Sequence, residues 1–149
     1  MIKHIWSIIA QKAMIEAQTN SLSLIGVLEE ITVGINKNLN NENSTINVPI
    51  NYDVVSYLSR DKEGPNPEMK IEIVNPAGKI VKSFEYIVDW EKGKQRMRAK
   101  VNINGFVVDG EGNYTFKIGL KENGDYKTLA ELPLLVRLSN EPLPPKRAD

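Results

Sequence analysis

The sequence predicts an all-β protein, an antiparallel sandwich of about seven to nine short strands. Apolar and polar residues alternate with period two over most of the chain, as around Tyr114, Phe116 and Ile118. Turn-forming residues recur about every ten residues between these segments. No stretch between them has a helical period of useful length, which argues against a parallel α/β sheet.

The N-terminal segment, residues 5–18, carries signals for both a strand and a helix. Its isoleucines favour a strand, whereas its alanines favour a helix. We favour a strand that forms a hairpin with residues 22–33 across the turn-prone Thr19-Asn20-Ser21. Trp6 lies among isoleucines and is predicted to be a core residue. The asparagine-rich residues 36–47 are predicted to form a loop.

Regular strands follow the asparagine-rich loop, with turn residues between them. The predicted strands are 48–59, 69–73, 79–90, 95–104, 114–120 and 126–138. Asn75-Pro76-Ala77-Gly78 and the Asn-Gly pair within residues 122–125 supply turn chemistry. We expect residues 1–138 to form a single domain and the proline-rich tail, 139–149, to be disordered.

Composition removes several classes of function. The chain has 149 residues and no cysteine, which excludes disulfides, cysteine-based metal sites and thiol nucleophiles. The 19 Lys and Arg balance the 19 Asp and Glu, so overall charge gives no reason to expect nucleic acid or an anionic membrane as partner. The apolar run 5–10 is shorter than a signal peptide needs, and no run is long enough to span a membrane. We therefore expect a cytoplasmic protein.

Few residues offer catalytic or metal chemistry. His4 is the single histidine, so we favour a surface or partly buried histidine over a member of a catalytic triad. Asp89 and Glu91 would lie about 7 Å apart on one strand face, a spacing that glycoside hydrolases use. Surface charge alternation explains these carboxylates more simply. We predict that the protein is not an enzyme and holds no cofactor or metal.

The most regular charged feature is a run of five cations at every second position: Lys92, Lys94, Arg96, Arg98 and Lys100. A strand here would place all five on one face about 6.8 Å apart, close to the phosphate spacing of an extended single strand. Binding of a polyanion such as single-stranded nucleic acid is therefore one hypothesis. A solvated face, or cross-strand pairing with Glu85, Asp89 and Glu91, is the favoured alternative.

Two aromatic residues near the end of one predicted strand suggest a third kind of binding. Trp90 and Tyr86 would lie on the same strand face and, if exposed, could form a platform on which sugars stack. Aromatic residues at even spacing on a strand are more often part of a core. The carbohydrate platform is therefore the weaker hypothesis for this pair.

The segment 107–120, VVDGEGNYTFKIGL, raises the question of a cation loop, because three residues with side-chain oxygens alternate with glycines. It lacks the distal glutamate and the glycine placement of an EF-hand. Gly112-Asn113-Tyr114-Thr115-Phe116 instead resembles the corner at which immunoglobulin-like sandwiches enter a late strand. That resemblance implies a structural tyrosine corner, with the Tyr114 hydroxyl anchored to backbone a few residues upstream.

Two resemblances bear on the family. NPAGK, a Trp-containing stretch, G-x-Y-x-F and an Asn-Gly hairpin together look like the bacterial immunoglobulin-like pattern. Residues 20–31, NSLSLIGVLEEI, resemble the opening of an uncharacterised family of small bacterial β-rich proteins. Both imply an immunoglobulin-like sandwich and neither carries catalytic residues.

The function predicted from the sequence is a non-catalytic interaction module. A sheet face or a strand edge would contact a protein partner or another copy of the chain. Polyanion binding through the five cations and carbohydrate binding through Trp90 and Tyr86 are the alternatives.

Overall fold

The computed structural model describes residues 1–34 and 45–140, which form nine β-strands and no helix. Those residues therefore include no helix with the length and apolar character needed to cross a membrane. The strands are β1 (Ile2–Ile15), β2 (Leu22–Val27), β3 (Glu30–Gly34), β4 (Ile46–Arg60), β5 (Glu68–Val74), β6 (Ile80–Ile87), β7 (Arg96–Val108), β8 (Gly112–Glu122) and β9 (Asp125–Ser139).

The strands form two sheets, in the orders β2-β1-β4-β7 and β3-β9-β8-β5-β6. In the five-stranded sheet, β5, β8 and β9 occupy the places of the immunoglobulin strands C, F and G. In the four-stranded sheet, β1, β4 and β7 follow the order A, B, E. The fold is an immunoglobulin-like β-sandwich, as the sequence predicts. One pair, β3 with β9, is parallel, and all the others are antiparallel.

The N-terminal segment is a strand, and it forms the predicted hairpin with only the first half of residues 22–33. β2 pairs with β1, but β3 crosses to the other sheet and runs parallel to β9. Leu28 N donates to Ile9 O at 2.8 Å, whereas Glu29 O accepts from Leu135 N at 3.0 Å. Successive residues thus bond to different sheets, and the prediction of one continuous strand over 22–33 is wrong beyond Val27.

The core lies between the sheets and is centred on four buried aromatic rings, those of Tyr52, Phe106, Tyr114 and Phe116. The Phe106 centroid lies 5.2 Å from that of Tyr114 and 6.1 Å from that of Phe116. Alternate residues of β4, β7 and β8 point inward, so period-two patterning brings these rings together. Such rings stabilise the sandwich through buried apolar area and through edge-to-face contacts.

Two predicted loops fall mostly outside the described residues. Of the asparagine-rich segment 36–47, residues 45–47 are described, and β4 begins at Ile46. Of the predicted tail 139–149, only Ser139 and Asn140 are described, and Ser139 ends β9.

Candidate functional site

A ladder of two aromatic rings and one cation lies on the outer face of the four-stranded sheet. The Trp6 and Tyr57 ring centroids are 5.5 Å apart, and the Arg98 guanidinium lies 6.0 Å from the Tyr57 ring. The residue after Tyr57, Leu58, is fully buried in the core, so Tyr57 faces away from it. A register shift between His4 and Trp6 turns Trp6 to this outer face. The prediction of Trp6 as a core residue is therefore wrong.

The β1–β2 hairpin reaches the same outer face. Asn20, in its turn, accepts a hydrogen bond from Arg98 Nη1 at 3.5 Å. Ala13 N donates to Asp53 Oδ2 at 2.8 Å. Asp53 and Val55 are 4% and 0% exposed, although they alternate with the core residues of β4. The hairpin therefore covers part of the outer face.

The five predicted cations do not share one strand face. β7 begins at Arg96, so Arg96, Arg98 and Lys100 alternate along it, whereas Lys92 and Lys94 lie in the preceding turn. The prediction of a five-residue stripe is wrong because the turn at residues 91–95 interrupts the extended chain.

The predicted cross-strand pairing of these cations is also wrong. The strand that carries Glu85, β6, belongs to the other sheet, and β7 pairs with β4 instead. Arg98 consequently faces Tyr57, and Lys100 faces Val55, rather than an acidic strand. Among residues 1–34 and 45–140, the ion pair that these cations form is local, between Lys94 Nζ and Glu91 Oε2 at 2.6 Å within the turn.

Three of the cations converge on a groove of about 210 Å³ between the end of the hairpin and the start of β7. Lys94, Arg96 and Arg98 line it together with Tyr57 and Asn20. An anion in this groove would meet three positive side chains beside an aromatic ring. We call it the cationic groove.

The hairpin carries a second feature, a set of large apolar side chains that are 40% to 49% exposed. They lie on both strands of the hairpin, and we call them the hairpin patch: Met14, Ile15, Ile25 and Val27. The register places Met14, Ile25 and Val27 on one face of the hairpin and Ile15 on the other. A cluster of exposed apolar side chains marks an interaction site more often than a single exposed residue does.

The carbohydrate platform is not available. Trp90 is 4% exposed and its ring is covered by the Arg60 guanidinium, which lies 4.6 Å from the ring centroid. Its indole Nε1 donates to Lys94 O at 2.7 Å. Tyr86 is half-buried, and burial raises its pKa to about 12. The prediction fails because Trp90 belongs to the core, where a sugar could not stack on it.

Arg60, at the end of β4, is the least expected polar residue of the interior. Its side chain is 8% exposed, and its Nη1 donates to Gly64 O at 3.2 Å. Its Nε has no hydrogen-bond partner in the described parts of the chain. Arg60 therefore presents a buried charge whose donors are only partly used.

The segment around Asp109 is a turn between β7 and β8. The Tyr114 hydroxyl donates to Gly110 O at 2.7 Å and accepts from Asp109 N at 3.0 Å. Burial, the main cause, raises the pKa of Tyr114 to about 12. Within residues 1–34 and 45–140, no group of three or more histidine or acidic side chains is arranged to hold a metal ion.

His4 lies on β1 of the four-stranded sheet, whereas the two carboxylates considered for catalysis follow β6 of the other sheet. The His4 Nε2 lies 2.7 Å from Ser7 Oγ, which in turn lies 2.7 Å from Ser56 Oγ. Burial lowers the pKa of His4. Asp89 and Glu91 are both exposed and lie beyond the end of β6, so they do not share a strand face.

Sequence reasoning missed Asp53, Tyr57 and Arg60, which organise these surfaces. Each lies in the predicted strand 48–59 or directly after it. Asp53 interrupts an apolar stretch of that strand, which is a signal for a buried and paired carboxylate. The burial of Arg60 had no comparable signal, because the Trp90 ring that covers it is distant in sequence.

No family model and no curated protein matches the chain. Among solved structures, the chain is similar to an immunoglobulin-like protein from Pseudomonas aeruginosa, at 14% identity and a TM-score of 0.43. The similarity covers 92% of this chain and 97% of that one. The fold assignment rests on the strand order and on the contacts of Tyr114 rather than on this similarity.

Proposed function

We propose that the protein is a non-catalytic interaction module whose β1–β2 hairpin pairs with a strand of another protein chain. The immunoglobulin-like fold commonly serves as a scaffold for binding. The observation that supports the proposal is the hairpin patch, because it exposes four large apolar side chains on one hairpin, two of which, Ile25 and Val27, lie on the edge strand β2. Burying them against a partner would remove apolar area from water and favour association.

The edge of β2 is suited to such pairing. Within the described ranges, four strands lie at sheet edges: β2, β7, β3 and β6. β7 carries three cations, β6 carries Lys82 and Glu85, and β3 is short and carries Glu30. Charges and short length protect edges against pairing. β2, with the sequence LSLIGV, has neither a charge nor a proline.

A second copy of the chain is the first partner to test. Two β2 strands could pair antiparallel about a two-fold axis, so that each copy offers the same patch. Their uncharged sequence places no like charges opposite each other. Strand addition of this kind gives affinity through main-chain hydrogen bonds and specificity through alternate side chains.

The experiment is light scattering with size-exclusion chromatography over a range of protein concentrations. We expect a concentration-dependent dimer that Ile25→Lys abolishes. Ile87→Lys is the matched control, since Ile87 is also exposed and lies on the edge strand β6 of the other sheet. Loss of the dimer in both variants would contradict the assignment to β2.

If the wild-type protein is a monomer at every concentration, binding to other proteins is tested next. Wild-type and Ile25→Lys baits would then capture proteins from lysate of the source cells. A partner held only by the wild type supports the hairpin. A partner held equally by both baits, or no partner at all, contradicts the proposal.

Polyanion binding is a second candidate, supported by the convergence of Lys94, Arg96 and Arg98 on the cationic groove. Three cations predict a salt slope of about 2 for single-stranded nucleic acid. Fluorescence anisotropy of a labelled oligonucleotide across salt concentrations measures this slope. We expect Arg96→Glu with Arg98→Glu to abolish binding, whereas Lys62→Glu with Lys127→Glu, an equal charge change elsewhere, leaves most of it. Equal losses would indicate an effect of net charge alone.

A further inference from the structure

We propose that Arg60 is the anchor of a binding site for a carboxylate that carries an apolar chain. This site lies at the end of the sandwich and is independent of the hairpin patch. The starting observation is that Arg60 is 8% exposed, yet its Nε has no partner among the described residues. Buried polar groups in native proteins almost always have a partner, so an unused buried donor requires an explanation.

The guanidinium is held in a fixed position. Its Nη1 donates to Gly64 O at 3.2 Å, and its plane is supported by the Trp90 ring, 4.6 Å away. Trp90 is itself fixed by the hydrogen bond from its Nε1 to Lys94 O and by one from its backbone N to Asn66 Oδ1. The Trp90 ring thus orients the guanidinium plane in advance, which lowers the entropy cost of ligand binding.

No carboxylate of the described residues forms an ion pair with the charge of Arg60. Glu63 lies nearby, but its Oε1 accepts from Gly93 N at 3.0 Å. Glu68 is paired with Lys121 at 3.0 Å. The guanidinium therefore has an unused Nε–H donor, and a planar guanidinium can give a carboxylate two parallel N–H bonds.

A cavity beside Arg60 fits the rest of such a ligand. It has a volume of about 450 Å³ and lies between the loop 61–67 and the ends of β1 and β8. Its apolar lining comes from Ile2, Pro65, Pro67 and Leu120. An alkyl chain or an apolar side chain suits these walls, while the single buried cation suits the acid group.

The charges around the cavity are mixed, because Glu63, Glu68 and Glu122 line it together with Lys62 and Lys121. The single buried guanidinium of Arg60 therefore matches a ligand with one negative charge. The Nε of Arg60 is itself covered, so a ligand reaches it only with a shift of the loop 61–67, in which the ligand carboxylate replaces Gly64 O as the partner of the guanidinium. The ligand class is therefore an apolar monocarboxylate, supplied either by a small organic acid or by the C-terminus of a peptide.

Titration with octanoate tests the proposal. The readouts are the NMR cross-peak of the Arg60 Nε–H group and the fluorescence of Trp90 in a Trp6→Phe background. Octanamide, which has the same chain without the charge, is the ligand control, and octyl phosphate tests the class of anion. We expect octanoate to shift both signals saturably and octanamide to leave them unchanged.

The matched variants are Arg60→Lys and Arg137→Lys. Lysine keeps the charge but loses the planar pair of donors, so we expect octanoate to bind Arg60→Lys at least about tenfold more weakly. Arg137→Lys, an exposed position on β9, should bind as the wild type does. If Arg60→Lys does not fold, the comparison of octanoate with octanamide in the wild type decides the question.

Tri-leucine with a free or an amidated C-terminus distinguishes the two sources of the carboxylate. Tighter binding of the free-acid peptide than of octanoate assigns the site to peptide ends, and the reverse order assigns it to small acids. Binding of octyl phosphate as tight as that of octanoate, or tighter, would overturn the assignment of the ligand as a carboxylate. The absence of any saturable shift would overturn the site and leave Arg60 as a structural residue.

Discussion

A buried carboxylate oxygen of Asp53 accepts a hydrogen bond from the backbone amide of Ala13 at 2.8 Å, across 40 residues of sequence. β1 is paired with β4 as far as Ala10, and after that it is paired only with β2. The Ala13 amide thus lies where β4 no longer offers a backbone acceptor. The Asp53 side chain replaces that acceptor and attaches the hairpin to the sheet.

Replacing Asp53 by alanine should destabilise the protein by about 1–3 kcal/mol, because a buried donor loses its acceptor. Asn102 Nδ2 also donates to this carboxylate, at 2.9 Å, and would lose that bond while keeping the one to Asn51 Oδ1 at 2.5 Å. Urea unfolding measures the free energy. Hydrogen exchange should show faster exchange of the Ala13 amide, as the hairpin separates from the sheet more often.

Asp53→Asn and Asn102→Ala are the controls. Asparagine can accept one of the two hydrogen bonds but places an amide group against the other donor, so Asp53→Asn should also be destabilised. Asn102→Ala keeps the bond to Ala13 and should leave its exchange slow. Slow exchange of Ala13 in Asp53→Ala would contradict the role assigned to the carboxylate.

The strands were predictable because each is encoded locally, by alternation between turn residues. The split of 22–33 was not, since it depends on which sheet accepts each hydrogen bond around Leu28 and Glu29. The run from Lys92 to Lys100 has the period of a strand, but Gly93 has a φ of +81°, in the region that glycine adopts readily in turns. The cations therefore keep their spacing of two residues through a turn in which the chain is not extended.

The binding surfaces were less predictable than the strands. Trp90 and Tyr86 have the spacing of a platform, but whether Trp90 is covered depends on Arg60, thirty residues away in sequence. The hairpin patch was not predicted as exposed, because its isoleucines resemble those of a core strand. Exposure depends on tertiary neighbours, and a single sequence does not specify them.

Removing the Tyr114 hydroxyl should cost about 1–3 kcal/mol. Tyr114→Phe keeps the ring in the core but leaves Asp109 N and Gly110 O without their partner, which holds the turn between β7 and β8. Urea unfolding gives the loss. Tyr52→Phe is the matched control, because its hydroxyl makes one longer bond, to Gly105 O at 3.3 Å, and its loss should be smaller. A larger loss in Tyr52→Phe would contradict the corner's role.

Alkaline pH should destabilise the protein through its buried tyrosines. Burial raises the pKa of Tyr86 and Tyr114 from 10.0 to about 12, because it disfavours the charged phenolate. The resulting stability is fully present below pH 10, the unfolded value, and is lost as the pH rises towards 12. Urea unfolding over this range, with tyrosinate absorbance as a second readout, measures the loss.

The double variant Tyr86→Phe with Tyr114→Phe should lose less stability over the same alkaline range, since neither group can ionise. Burial raises the pKa of Tyr52 as well, so part of the dependence should remain. An ordinary pKa near 10 for all the tyrosines of the folded wild type would contradict the prediction.

Two glycines with positive φ allow the cost of backbone strain to be measured apart from the cost of a steric clash. Gly112 has a φ of +137°, and a Cβ there would lie 2.9 Å from Pro76 Cγ. Gly78 has a φ of +87° and open space around it. Each alanine substitution should cost about 1–2 kcal/mol for the left-handed backbone. Gly112→Ala should cost about 1–3 kcal/mol more, because the proline ring cannot move aside easily.

The difference between the two alanine variants in urea unfolding tests this separation. Equal losses would mean that Pro76 moves without cost. In that case the close packing of the 75–78 turn against the start of β8 would contribute little to stability.

Mild acid should destabilise the protein through His4. Burial lowers its pKa from 6.5, so the folded state favours the neutral ring that lies 2.7 Å from Ser7 Oγ. This contribution is fully present above pH 6.5 and is lost as the pH falls through the lower, folded value. An NMR titration of the ring gives that value, and urea unfolding between about pH 7 and pH 5 gives the loss of stability. His4→Gln should lose less stability over this range, whereas an NMR pKa at or above 6.5 would show that burial does not control the ring.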